Sequence, residues 1–146
     1  MPEKIQKEKN SADHLLYVSL KYTKTCDVIQ NLIERWIVMI EQCFDAVLKR
    51  LQRLKKISSI PIAPKAKAEL IIEKLGNQPE VKDIIPLYLF FKRVKNLEKI
   101  REGEFRKNVA LKVLDKGEWI TIDIEKLKQW NERLERFLSW VFHYIK

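Results

Sequence analysis

The residues in this chain whose types and spacing could do chemistry are mostly cations. Lys49, Arg50, Arg53, Lys55, Lys56, Lys65 and Lys67 fall in one run with no acid among them. A second run holds Lys92, Arg93, Lys95, Lys99, Arg101, Arg106 and Lys107 against Glu98, Glu102 and Glu104. The formal charge is +9, and these two runs together exceed it, so the remainder is slightly acidic and the basicity is local. Clustered Lys and Arg are what phosphate contact requires, and Arg adds a bidentate fork. Lys49, Arg50, Arg53, Lys55, Lys56, Arg93, Arg101, Arg106 and Lys107 are therefore candidate anion-binding residues, with RNA or DNA as the expected partner. The plainer reading is a solvated surface, because cations at the end of a long helix also complement its dipole.

Acid–base chemistry has less to draw on. His14 and His143 are the only histidines, which excludes a histidine metal cluster within one chain. There is no HExxH and no GxSxG, and Gly76, Gly103 and Gly117 are too scattered to cradle a phosphate. The catalytic candidates are His14 beside Asp13, with Glu104 and Arg106, provided they converge. The segment 101–108 packs charge at a structural junction. It reads either as a salt-bridged turn anchored by Phe105 or as an anion-capturing loop. Cys26 and Cys43 lack CxxC spacing and read as small buried hydrophobes. No metal or cofactor is expected, and the balance favours binding over catalysis.

The elements that must position these residues are mainly helical. With 146 residues, 46% hydrophobic and 34% charged, the chain is sized for a single domain. Only three Gly and five Pro argue against a turn-dense β fold. Residues 1–10 carry charge without an apolar core, unlike a signal peptide, and are expected as a flexible tail before a domain at 11–146. The longest uncharged apolar stretch, Ile84 to Phe91, is too short to span a membrane, so the expectation is a cytoplasmic protein.

Between Ser11 and Ile60 there is neither Gly nor Pro. Leu15, Val18, Tyr22, Cys26, Ile29, Ile33, Trp36, Ile40, Cys43, Phe44, Val47, Leu51 and Leu54 keep one helical phase, opposite Lys21, Glu34, Glu41, Asp45 and Lys49. Ser11 suits an N-cap. A helix over 12–55 would be about 66 Å long, against a diameter of about 40 Å for a compact particle of this size. Either it breaks at Thr23-Lys24-Thr25, with Asp27 and Gln30 as a capping box, or the chain pairs. Because the stripe keeps its phase, continuity and a homodimer are expected.

Ser58 to Pro64 reads as a linker. A short helix follows to Leu75, with Gly76 as its stop. Another runs from Pro79 to about Val94, kinked or restarted at Pro86. Val109 to Ile122 changes to period two around Asp115-Lys116-Gly117, a hairpin. Asp123 caps a last helix to about Tyr144 whose stripe leaves Trp140, Phe142 and Tyr144 over, as for an interface. The expected fold is thus mainly α: a helical bundle with a long N-terminal amphipathic helix and one β-hairpin before the C-terminal helix.

Ala12 to Ser19, with Glu104-Phe105-Arg106-Lys107 before the hairpin and last helix, resembles a group of small archaeal helical proteins that implies no activity. The helical plan more distantly resembles HEPN domains, many of them ribonucleases. Their signature is an Arg, a polar residue and a His four to six positions after the Arg. Arg106 and Asn108 match it, and Leu111 stands where the His would be. The resemblance implies a HEPN-like ribonuclease or nucleotide-handling protein lacking its histidine. The leading expectation is a non-enzymatic, homodimeric binding module for RNA or DNA, the third an antitoxin-like partner of another protein.

Overall fold

Thr23, Lys24 and Thr25 turn the apolar stripe back on itself. In a computed structural model describing residues 2–146, helix α1 (Pro2–His14) runs into a π-helical turn (Leu15–Ser19) and a short α2 (Leu20–Tyr22). Thr23 then leaves helical space at φ −130° and ψ 89°. Thr25 is extended, and its hydroxyl oxygen accepts the Val28 amide at 3.3 Å, opening α3 (Cys26–Arg53). The two arms lie antiparallel, with Leu15 beside Asn31 and Ile5 beside Gln42.

This corrects the expected continuous helix over 12–55. β-Branched hydroxyl residues resist the helix and offer the backbone a side-chain partner instead. The cap is Thr25, with Asp27 in the first turn, rather than the Asp27–Gln30 box. Ser11, expected as an N-cap, lies inside α1. The segment expected as a flexible tail is helical from Pro2, and Ile5 is buried. Lys9 is buried too, its ammonium held by Asp13 and, at 3.1 Å, by Glu135 of the last helix. The argument for a homodimer from an over-long rod loses its premise, because elements of the same chain cover α3.

Helix α4 (Pro64–Leu75) and helix α5 (Pro79–Val94) follow the linker, each with Pro in its first turn. Pro86 does not interrupt α5. It is exposed, so water can satisfy the carbonyl its ring leaves unbonded. Ile84, Ile85, Leu87, Tyr88, Phe90 and Phe91 are buried around it. Phe91 stacks on Trp36 at 5.5 Å and meets Trp130 edge-on at 5.3 Å, which joins α3, α5 and the last helix at the core.

The expected hairpin is two of three strands. β1 (Glu98–Glu102), β2 (Ala110–Asp115) and β3 (Glu118–Asp123) form an antiparallel sheet in that order. Lys116 and Gly117, at φ 53° and 82°, make the tight β2–β3 turn. Leu111, Val113 and Ile122 face the core. Asp123 accepts the Lys126 amide at 2.8 Å and opens α6 (Ile124–Tyr144). Trp140, Phe142 and Tyr144 pack partly buried against the core of their own chain. No helix of the described residues is long and apolar enough to cross a membrane.

Removing the Thr25 hydroxyl in Thr25→Ala is expected to cost about 1 kcal/mol, read in denaturant unfolding, and Thr25→Ser should recover most of it. Equal stability of the alanine variant would mean that the turn does not depend on this cap.

Candidate nucleic-acid interface

The loop between β1 and β2 is clamped onto the first turn of α3. Glu104 accepts the Cys26 amide at 3.3 Å, placing a carboxylate at the positive end of the helix dipole. Its other oxygen takes Arg101 at 3.4 Å, and Arg101 reaches on to Asp27 at 2.8 Å. The Phe105 amide donates to the Lys24 carbonyl at 2.6 Å. The Cys26 thiol donates to the Ala110 carbonyl at 3.3 Å. Burial and the Glu104 carboxylate push that thiol up to about 11, so it stays protonated and unreactive. Gly103 has φ 63°, and a Cβ there would lie 2.7 Å from the Asn108 carbonyl oxygen. Only glycine fits at that position.

The clamp brings exposed Phe105 to Lys24, two residues after a second exposed ring, Tyr22. Phe105 is 76% exposed and Tyr22 77% exposed. Phe105 also holds φ 65°, a left-handed conformation that a bulky residue rarely adopts. The Lys21 ammonium lies 5.7 Å from the Tyr22 ring centre, and Lys24 donates back to the Lys21 carbonyl. Arg106 and Lys107 follow Phe105, both exposed. Two protruding rings and four cations therefore share one corner of the fold. The Phe105 ring, expected to anchor a salt-bridged turn, is exposed and does not: the Phe105 backbone amide on Lys24 and the ion pairs of Arg101 hold the turn.

The other candidates lie elsewhere or are already engaged. Lys49, Arg50, Arg53, Lys55 and Lys56 sit at the far end of α3, about 42 Å away for 28 residues. There Lys55 takes the left-handed C-terminal position at φ 60°, and the Lys56 amide closes the helix on the Leu51 carbonyl. These cations complement the negative end of the dipole. Arg93 is spent on Asp115, with two hydrogen bonds of 2.9 Å, and Arg101 on Asp27 and Glu104. His14 is exposed, and among the described residues no hydrogen bond joins it to Glu104 or Arg106. Residues 106–109 are loop and Ala110-Leu111 begin β2, so the Arg106–Asn108 pair does not open a helix. Among the described residues no cluster of metal-ligating side chains occurs.

Tyr22, Lys21 and Lys24 belong to this corner and were not among the candidates. Tyr22 matched the apolar stripe, so its period pointed to the core. The signal for it was the Thr23–Thr25 break, beyond which the phase does not carry. Comparison with family models, curated proteins and solved structures finds no match for this chain.

The Arg93–Asp115 pair is structural, since Asp115 is buried. The Arg93 hydrogen bonds hold the Asp115 carboxyl below its ordinary range. A depressed native value means the pair stabilises the fold above the ordinary carboxylate pKa of about 3.9 and stops doing so as pH falls through the native value. Arg93→Ala is expected to lose about 2 kcal/mol at neutral pH, with the deficit closing in acid and nucleic-acid affinity unchanged. Parallel unfolding and binding titrations check both halves.

Proposed function

We propose that this chain is a non-enzymatic helical module that binds single-stranded RNA or DNA at the corner formed by Tyr22, Phe105, Lys21, Lys24, Arg106 and Lys107. The observation that carries the reading is the pair of exposed rings, Phe105 bonded through its amide to Lys24 and Tyr22 two residues before that lysine, with cations adjoining both. Bases stack on aromatic faces regardless of sequence, and Lys and Arg beside the rings track the phosphates between them. Single strands suit the site because only unpaired bases can splay out onto protruding rings. The left-handed Phe105 adds to the case. Such a conformation costs on the order of 1 kcal/mol and tends to persist at binding sites. Asp27 and Glu104 share Arg101, so that cluster keeps one net negative charge against the four cations Lys21, Lys24, Arg106 and Lys107. A cytoplasmic setting accords with two free buried cysteines.

The test is fluorescence anisotropy with a labelled single-stranded 12-mer, titrated across salt. Phe105→Ala and Tyr22→Ala should each weaken binding roughly 5- to 150-fold, the worth of about 1–3 kcal/mol per stacked base. Arg106→Ala with Lys107→Ala should flatten the log–log salt slope by about 1.4, at about 0.7 per phosphate contact on a single strand. Lys55→Ala with Lys56→Ala, at the far end of α3, should change neither. Absence of binding at 50 mM salt, or equal losses from both ends of α3, would overturn the proposal.

A further inference from the structure

Beside the two rings lies a cleft of about 230 Å³ between the π-helical turn, α2 and the start of α6. Leu16, Leu20 and Ile124 give it an apolar floor, and Lys21, Lys24 and Lys128 line it with cations. Tyr17 completes the wall. Its hydroxyl oxygen accepts a hydrogen bond from the Asn131 side-chain amide at 3.2 Å. Asn131 is 1% exposed, and its own carbonyl oxygen has no partner. A buried amide is costly to keep half-satisfied. Here it serves to fix the Tyr17 hydroxyl. With the phenol oxygen occupied as an acceptor, the Tyr17 O–H is left as a donor.

The cleft therefore offers one neutral donor from Tyr17 and three lysine side chains, of which Lys24 also donates to the Lys21 carbonyl, above an apolar base. The Asp123 carboxylate at the start of α6 accepts the Lys126 amide and keeps its negative charge, so the three lysines and Asp123 together carry +2. That is more positive charge than an internal phosphodiester, with one negative charge, can match. A terminal phosphate monoester carries about −1.5 to −2 at neutral pH and three acceptor oxygens. The apolar floor suits the face of the base or sugar attached to it. Lys21 and Lys24 belong both to this cleft and to the ring-bearing corner, so the cleft adjoins the stacking site.

We propose that the cleft captures the phosphorylated end of a strand, an inference that rests on the single-strand reading above. The π-helical turn fits this role, since such turns concentrate at functional sites and this one supplies Leu16 and Tyr17.

The experiment compares one labelled 12-mer with a 5′-phosphate, a 3′-phosphate or hydroxyls at both ends. One phosphorylated end is expected to bind about tenfold more tightly than the hydroxyl form, and which one it is gives the polarity of the strand. Tyr17→Phe keeps the ring and removes the donor. Lys128→Gln changes an exposed side chain and keeps the fold. Each should bring the ratio of the two affinities towards one. Far-ultraviolet circular dichroism of both variants establishes that they are folded. Equal affinity for all three strands would overturn the cleft proposal and leave the stacking site standing. A ratio unchanged in both variants would place the phosphate elsewhere and overturn it as well. Failure of every strand to bind would remove both readings together.

Discussion

The first turn of α3 is where the structure is tied together. A helix begins with four amides that lack an intrahelical partner. Here Thr25 supplies one acceptor and Glu104, eighty residues further on in round terms, supplies another. The first cap is local and breaks the helix; the second is remote and brings the β1–β2 loop to the break. The Phe105–Lys24 bond then locks that loop to the hinge. Without this turn the two arms would not double back, the sheet would have no tether to the long helix, and Tyr22 and Phe105 would have no reason to share a surface.

Which parts of this were legible in the sequence follows from how local their causes are. The starts of α4 and α5 rest on a proline, that of α6 on an aspartate, and the β2–β3 turn on a glycine, and each acts within a few residues. The α3 stripe was legible because one unbroken helix keeps one phase. The hinge was visible as a choice but not as an outcome, because Thr23 and Thr25 lower helix stability only modestly while the gain comes from packing two arms together. Once the chain breaks, phase is no longer transmitted. Leu16 and Leu20 are buried, whereas Val18 and Tyr22, assigned to the stripe by extrapolation from α3, are exposed. β1 was hidden for a different reason. Glu98-Lys99-Ile100-Arg101-Glu102 is an edge strand whose charges read as a loop, and only its register against β2 makes it a strand.

The charge pattern shows the same limit. Density along a chain is not density in space. The first basic run closes α3 and matches its dipole, whereas the second starts in α5, with Lys92 on Glu41 midway along α3, and meets the first turn of α3 at Arg101. Within the second, Arg93 and Arg101 face carboxylates and Lys99 donates to the Lys95 and Leu97 carbonyls. What remains at the hinge is a smaller set, Arg106 and Lys107 together with Lys21 and Lys24, that no window along the sequence would have gathered.

The case for a ligand at that corner rests on what the rings do not do. A buried aromatic returns its conformational cost through area removed from water and through ring packing, as Trp36, Phe91 and Trp130 do. Phe105 has neither return. It sits in a backbone conformation suited to glycine or asparagine and turns its ring outward. The loop already has a glycine two residues earlier, at a position where steric contact demands one, so the chain uses that residue where closure requires it. Closing the turn at position 105 needs only the backbone amide that bonds Lys24, and a smaller, more polar residue would supply it with less strain and less exposed apolar surface. The ring is thus unexplained by folding alone, and Tyr22, equally exposed two residues before Lys24, shares that property. Two such rings near four cations that no carboxylate pairs among the described residues are accounted for together by a partner that carries flat faces and negative charge, and by nothing else that the packing of this chain requires.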